Sequence, residues 1–184
     1  MKKYELTTEC KEFLGRKLYR IKALTSFSDV KKGDLGGWIA KEENLSQEGN
    51  AWVCDNATVF DNARVCGNAT VCGNATVCDN ARVCGNARVF GNATVCGNAE
   101  IKKKTHLLEI GFIGSRDDVT TFFRTKDKGI FVKCGCFKGD IDDFEKKVQK
   151  VHGDDKHGRV YALAIAMARE QIELDDEDVE EEDD

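Results

Sequence analysis

The sequence predicts a mainly β protein in which a coil of short parallel strands is followed by a small α+β domain. Residues 52–99 are eight uninterrupted copies of a six-residue unit, x-Val-(Cys/Phe)-(Gly/Asp)-Asn-Ala. A fixed short period without helical spacing is typical of a β-solenoid. Residues 105–174 instead combine β-branched and aromatic runs with two helical patterns. The predicted domains are an opening segment and solenoid cap (1–51), the solenoid (52–104), the α+β module (105–174) and a disordered acidic tail (175–184).

The opening segment is predicted to close one end of the solenoid, because exposed strand edges at that end would recruit other chains. Its apolar residues indicate two strands with a turn near Gly15 between them, the second strand running over Leu18–Leu24. Further along, Gly36-Gly37 is expected to form a turn. Trp38, Ile39 and Leu45 are expected to cover the open first coil.

Each repeat places a valine two positions after the preceding alanine. In an extended chain both side chains then point to the same side, which we expect to be the interior. The Gly-Asn or Asp-Asn pair supplies the corner, since these residues tolerate positive φ at low cost. With three units to a turn, eight units predict somewhat under three coils.

The residue after each valine is cysteine or phenylalanine and is expected to face outward. Positions 18 residues apart then stack in columns. The three columns are Cys54/Cys72/Phe90, Phe60/Cys78/Cys96 and Cys66/Cys84. Because soluble monomers rarely expose such apolar columns, at least one is expected to be an interface between protomers. Stacked cysteines also satisfy the distance requirement for disulfides.

The repeat resembles the left-handed parallel β-helix of the hexapeptide-repeat superfamily, although Cys or Phe stands where that pattern usually has a small or acidic residue. The resemblance implies a homotrimer. The preceding segment, from Asp29-Val30 through Gly36-Gly37-Trp38 to Asn44-Leu45-Ser46, is similar to the opening of a group of phage and bacterial hexapeptide-repeat proteins.

In the module, three strands are predicted over 106–113, 119–125 and 130–137, with a hairpin turn over 126–129. Asp140 is the expected N-cap of a first helix, and Gly153 is its expected C-cap. A second helix is predicted over Arg159–Leu174. Its predicted buried residues are Val160, Leu163, Ala164, Met167 and Ile172. The predicted order is therefore β-β-β-α-α.

The module also has a resemblance of its own. Ile113-Gly114-Ser115-Arg116, the run Thr120–Arg124 and Cys134-Gly135-Cys136-Phe137 are similar to a C-terminal domain found on phage proteins. This resemblance implies a phage-type accessory protein acting in the host cytoplasm, but no defined biochemical activity.

Composition narrows the possible partners. The net charge is −5, but nine of the last ten residues are acidic and the rest of the chain is slightly basic. Nucleic acid is therefore not an expected partner. Nine cysteines without a signal-peptide pattern favour a reducing, cytoplasmic setting. No apolar run reaches membrane-spanning length.

Residue types that bind anions cluster in the module. The Gly114-Ser115-Arg116 loop offers backbone donors, a hydroxyl and a guanidinium suited to bidentate phosphate recognition. The loop between the helices adds further donors at a helix N-terminus, which favours anions. The predicted ligand-binding residues are Ser115, Arg116, Thr120, Thr121, Arg124, His152, Lys156 and His157. The competing interpretation is a solvated surface paired with neighbouring aspartates.

Catalytic chemistry has less support in the sequence. Hexapeptide-repeat acyltransferases use a histidine near a coil corner, whereas the three histidines here, at 106, 152 and 157, lie outside the repeats. Cys134 and Cys136 with His152 and His157 offer four potential metal ligands, but without the spacing of a zinc knuckle or ribbon. We therefore predict no catalytic residue, resident metal or cofactor, and leave open whether those four bind a metal.

The sequence thus favours a non-catalytic, phage-type oligomeric scaffold whose C-terminal modules bind an anionic small molecule. A nucleotide signal of host defence, sequestered by the scaffold, is one such molecule. Two alternatives remain: a structural trimerisation scaffold that binds a host protein, and a hexapeptide-repeat acyltransferase of unusual type.

Overall fold

The structure, a computed structural model, describes residues 2–175. Three strands open the chain: Tyr4–Phe13 (β1), Arg16–Ala23 (β2) and Leu35–Ile39 (β3). Nine two-residue strands then follow: Trp52–Val53 (β4), Thr58–Val59 (β5), Arg64–Val65 (β6), Thr70–Val71 (β7), Thr76–Val77 (β8), Arg82–Val83 (β9), Arg88–Val89 (β10), Thr94–Val95 (β11) and Glu100–Ile101 (β12). The module adds Leu107–Ile113 (β13), Asp118–Arg124 (β14), Ile130–Cys134 (β15), Phe137–Asp140 (β16), Ile141–His152 (α1) and Lys156–Gln171 (α2). The predicted acidic tail beyond Asp175 lies outside the described residues.

Strands of the solenoid pair in parallel with the strand 18 residues further along the chain. Three faces result, formed by β5-β8-β11, by β4-β7-β10 and by β6-β9-β12. The predicted fold class is confirmed: a hexapeptide-repeat β-solenoid is followed by a small domain with a β-sheet and two helices.

The interior of the solenoid consists of the repeat valines and alanines, as predicted. Every one of them from Val53 to Ala99 is at most 2 % exposed. The corners also agree with the prediction, since the Asp or Gly at each corner has φ between +53° and +71°. Asp55 and Asp79 stabilise these corners further, because each carboxylate accepts a hydrogen bond from the glycine N–H one turn above, at 3.0 and 2.9 Å.

Asparagine side chains form ladders along the corners, a feature that the sequence analysis did not anticipate. Within each ladder, a side-chain amide donates to the side-chain oxygen of the asparagine one turn above, over 3.1–3.4 Å. The ladders are Asn50–Asn68–Asn86, Asn56–Asn74–Asn92 and Asn62–Asn80.

The solenoid has about four turns, more than the predicted number. Ile39 pairs with Val59, and Leu45 forms a parallel bridge with Val65, so both occupy the aliphatic position of an additional first turn. Neither residue belongs to a complete repeat unit, and for this reason the period alone did not reveal that turn.

Gly36 and Gly37 lie within strand β3, so the predicted turn at these residues is wrong. A Cβ on Gly36 would lie 2.5 Å from Ile21 Cγ1, and one on Gly37 would lie 2.7 Å from the carbonyl oxygen of Ala57. Glycine is required here because the first turn approaches the next one too closely for a side chain.

The outward columns stack as predicted, but their environments differ. In the second column, Phe60 is 4 % exposed and packs with Leu18 and Trp38, so the chain's own opening hairpin covers it. In the first column, Phe90 remains 43 % exposed. Below it, Cys54 and Cys72 form a disulfide, whereas the other seven cysteines are thiols. The stacked geometry thus produces one disulfide, although the composition favoured a reducing setting.

The module differs from its prediction in three details. The third predicted strand is a hairpin of β15 and β16, so the sheet has the order β13-β14-β15-β16. Helix α2 begins at Lys156, three residues before the predicted start. Leu163 and Met167 are 70 % and 54 % exposed rather than buried. Ala164 and Ile172 are buried as predicted. The other buried apolar side chains of α2 are Tyr161, Ile165 and Ala168.

The caps of α1 agree with the prediction. Asp140 accepts a hydrogen bond from the backbone N–H of Asp143 at 2.8 Å. Gly153 has φ +51° and donates to the carbonyl of Gln149. These caps fix both ends of α1, and Ile141, Phe144 and Val148 pack in the same apolar cluster as Phe122 and Val132 of the sheet.

The sheet of the module lies between the helices and the end of the solenoid. Phe122 and Val132 belong to the apolar cluster that contains the helices. Phe123 belongs to the solenoid cluster, together with Ile101. The module therefore closes the C-terminal end of the solenoid while it presents its helices outward.

Candidate functional site

A cleft of about 270 Å³ opens where the module's loops meet its helices. One wall is the turn after β13, and another is the β15–β16 turn. Helix α1 forms a third wall, and α2 contributes Tyr161. The lining residues are Ser115, Arg116, Asp118, Cys134, Gly135, Cys136, Phe137, Phe144, Lys147, Val148, Val151, His152 and Tyr161.

Two cationic side chains line this cleft. Arg116 and Lys147 are both exposed, the first on the loop and the second on α1. The Arg116 guanidinium lies beside the β15–β16 turn, where a Cβ on Gly135 would be 3.7 Å from Nη1. Against these two charges the cleft contains one carboxylate, that of Asp118. The electrostatic balance therefore favours an anion.

Cys134 and Tyr161, which both line the cleft, belong to one hydrogen-bonded group. Thr120 Oγ1 donates to Cys134 Sγ at 3.2 Å, and Cys134 Sγ lies 3.5 Å from the Tyr161 hydroxyl. Burial, together with the hydrogen bond to Cys134, raises the pKa of Tyr161, so its hydroxyl stays protonated. Gly114 packs directly over this hydroxyl, since a Cβ at that position would lie 1.8 Å from it.

His152 ends α1 at the edge of the cleft. Its Nδ1 lies 3.5 Å from Asp155 Oδ2, and its ring centroid is 5.8 Å from that of Tyr161. Asp155 is fixed in turn, because its Oδ1 accepts the Gly158 N–H at 2.8 Å as the N-cap of α2. That hydrogen bond lowers the pKa of Asp155, so a carboxylate orients the imidazole.

The structure brings only some of the predicted ligand-binding residues into the cleft. Ser115, Arg116 and His152 line it. Thr120 does not line it, but donates a hydrogen bond to the lining residue Cys134. Lys156 and His157 lie in the first turn of α2, and the His157 ring is 5.6 Å from that of His152.

Thr121 and Arg124 are not in the cleft, because both contact the solenoid. Thr121 Oγ1 accepts the backbone N–H of Thr94 at 3.2 Å. Arg124 is fully buried and donates to Glu100 Oε2 at 3.0 Å and to the Leu174 carbonyl at 3.1 Å. Side chains alternate between the two faces of a strand, so Thr121 faces the side opposite to Thr120, and the sequence did not show which face meets the helices. Arg124 has the same parity as Thr120 but lies at the other end of β14, beside Glu100 and Leu174.

Several cleft residues were not predicted. Lys147 and Val148 follow Phe144 at helical spacing and so lie on the side of α1 that turns towards the cleft. Tyr161 was missed because the buried stripe of α2 was misassigned. The apolar residues Phe144 and Val148 of α1 were recognised in the sequence. Lys147 lies beside them on the helix, and this position is the signal that would have identified it.

The four residues considered as metal ligands do not converge. Cys134 is engaged with Thr120 and Tyr161, and Cys136 is exposed in the β15–β16 turn. In residues 2–175, the one group whose metal-type ligand atoms lie within 4.8 Å of each other is Cys54, Asp55 and Cys72. Its two sulfur atoms form the disulfide described above.

A larger cleft, of about 560 Å³, lies between the last coil and the module. It contains Asp127, Asp140 and Asp142, and its arginine, Arg169, is already paired with Asp142 and Glu145 at 2.8 Å each. This arrangement disfavours anions. The smaller cleft of about 270 Å³, which Arg116 lines and which we call the Arg116 cleft, is therefore the better candidate for an anion-binding site.

Comparison with known proteins finds a likeness in the repeats. The model of the YdcK β-solenoid repeat family matches residues 63–79 and 81–97. An uncharacterized acetyltransferase, YdcK of Escherichia coli (strain K12), is 43 % identical over 63 residues. The match covers 30 % of this chain and 19 % of that protein, so the chain spans about a fifth of the length of the curated relative it matches.

Residues 2–175 contain no helix that is both long enough and apolar enough to cross a membrane.

Proposed function

We propose that this protein is a non-catalytic binding protein that holds a small anionic molecule, of the nucleotide or phosphorylated-metabolite class, in the Arg116 cleft. The observation that carries the proposal is the convergence of Arg116, Lys147 and His152 on one cleft, although they come from separate elements. The solenoid then acts as a rigid support that presents the module.

The cleft has both features that an amphiphilic anion needs. Arg116 offers a planar fork of donors to phosphate or carboxylate oxygens, and Lys147 adds a point charge. In the same cleft, Phe137, Phe144 and Val148 provide apolar surface for the uncharged part of the ligand. Ligand sites commonly combine an apolar lining with a few convergent polar groups.

The size of the cleft restricts the ligand. Ligand pockets usually span about 300–1,000 Å³, and this cleft, at about 270 Å³, is at the lower end of that range. A mononucleotide or a smaller phosphorylated compound fits this volume better than a cyclic dinucleotide. In the homotrimer implied by the resemblance, three such clefts would sequester three molecules.

Titration calorimetry tests the proposal, with adenosine monophosphate, guanosine monophosphate and inorganic phosphate as probes. We expect binding by the native chain and a loss of affinity of about tenfold or more in Arg116→Gln, since a charged hydrogen bond contributes about 1.5–3 kcal/mol. Arg88→Gln is the matched control, because Arg88 is an exposed arginine on the solenoid. Equal affinities of Arg116→Gln and Arg88→Gln would falsify the assignment of the site.

Acetyl transfer is the second candidate, and the name of the matched relative favours it. The family-matched residues, 63–79 and 81–97, contain no histidine, so the likeness extends to the scaffold rather than to a general base. Release of free coenzyme A from acetyl-CoA, with amine and hydroxyl acceptors, distinguishes the candidates. Turnover that is lost in His152→Gln would replace the binding proposal with this one.

A further inference from the structure

Helix α2 exposes an apolar stripe on the side that faces away from the module. Leu163 is 70 % exposed and Met167 is 54 % exposed. Ala162 and Ala166 lie beside them and are exposed as well. These four residues lie within two turns of one helical face and include no charged side chain. Contiguous exposed apolar residues rimmed by charged ones are typical of interaction sites.

The stripe is complementary to itself. Residues Leu163 and Ala166 are symmetric about the helix midpoint between positions 164 and 165, and so are Ala162 and Met167. When two copies of α2 pack antiparallel across that point, each large residue faces a small one, as in ridge-and-groove packing. Such mutual contacts are the mark of a two-fold interface, in which the same patch serves both subunits.

Charges at the ends of the stripe obey the same symmetry. Arg159 and Glu170 are exposed and lie on either side of the apolar residues, equidistant from the same midpoint. Antiparallel packing places Arg159 of one copy beside Glu170 of the other. Parallel packing would instead place like charges together.

We infer that the outer face of α2 binds the same face of a second copy of this chain, with the two helices antiparallel. The Arg116 cleft does not enter this inference, because Tyr161, which α2 contributes to the cleft, points to the opposite side of the helix. Since the module closes the end of the solenoid, the two-fold contact joins two solenoids, or two solenoid assemblies, end to end.

Sedimentation equilibrium tests the inference, at micromolar to sub-millimolar concentrations because contacts of this size are weak. We expect Leu163→Asp to halve the limiting mass of the native assembly, which is built from chains of 20.5 kDa. Phe112→Asp is the control, since Phe112 is also 70 % exposed in the module but lies on β13. The limiting mass of the Phe112→Asp assembly should equal that of the native assembly.

Charge reversal provides a second and independent test. Arg159→Glu places two glutamates together at each end of the contact and should halve the mass. The double variant Arg159→Glu/Glu170→Arg restores opposite charges and should recover the native mass. Both substituted residues are exposed on α2. Circular dichroism verifies that each variant is folded. Identical masses for the native chain and Leu163→Asp, or failure of the folded double variant to recover the native mass, would overturn the inference.

Discussion

Replacing Gly37 by alanine tests the way in which the first turn of the solenoid joins the repeats. A Cβ at this position would lie 2.7 Å from both the Ala57 carbonyl oxygen and Val53 Cγ1, and 3.1 Å from the Cys54 carbonyl oxygen. Two of the three obstacles are main-chain atoms, which cannot rotate away. The substitution therefore has to separate β3 from the turn above it.

The expected cost follows from this geometry. Added methyl groups in a well-packed core usually cost about 1–3 kcal/mol. Because backbone has to move here, we expect the upper end of that range, about 3 kcal/mol. For a chain of this length, each kcal/mol lowers the melting temperature by roughly 2–4 °C. Gly37→Ala should therefore melt roughly 6–12 °C below the native chain.

Urea unfolding followed by tryptophan fluorescence measures this effect, since Trp38 and Trp52 are buried near the substitution. Gly129→Ala is the control, because its added Cβ would meet only Thr125 Oγ1, at 3.4 Å. We expect the control to remain within about 0.5 kcal/mol of the native stability, as is usual for substitutions away from such contacts. If Gly37→Ala is as stable as Gly129→Ala, the first two turns do not approach each other as closely as described, and the reasoning is refuted.

Three further predictions concern the junction, the corners and a buried lysine. Glu100→Gln should lower the free energy of unfolding by about 1.5–3 kcal/mol, because the buried Arg124 would lose its charged hydrogen bond to the Glu100 carboxylate; a change below 1 kcal/mol in chemical denaturation would contradict this. Asn68→Ala removes ladder hydrogen bonds to the asparagines one turn below and above, and thermal unfolding should register a loss of about 1–2 kcal/mol. Burial lowers the pKa of Lys3 from 10.5 to about 8, so the unfolded chain binds more protons than the folded chain between these values. The stability of the native chain relative to Lys3→Met should therefore rise as the pH increases from 8 to 10.5, and a flat difference across that window would contradict the predicted pKa.

The solenoid was predictable because the six-residue period determines both the spacing of the strands and the positions of the residues that face inward. What the period cannot show is a turn built without the repeat unit. Ile39 and Leu45 occupy the aliphatic position, yet the residues around them do not follow the Asn-Ala pattern. Only the pairing of Ile39 with Val59 and of Leu45 with Val65 reveals that these residues belong to the coil.

The module was harder to predict because its elements offer two apolar faces. On α2, Leu163 and Met167 are more hydrophobic than the alanines, so the pattern favoured their side of the helix. Tyr161 and Ile165 decide the orientation instead, through packing against the sheet and α1. On β14, Thr120 and Thr121 are chemically alike, and only the contact of Thr121 with the solenoid shows that it faces away from the cleft.

A ligand-retention measurement tests the central claim, that the Arg116 cleft binds a small anion. The native chain, Arg88→Gln and the double variant Arg116→Gln/Lys147→Gln are each equilibrated with a mixture of nucleotides, sugar phosphates and carboxylates, and the retained compounds are identified by mass spectrometry. We predict that the native chain and Arg88→Gln retain the same anion and that the double variant loses it. Retention of no anion by the native chain, or equal retention by all three proteins, would contradict the proposed binding function.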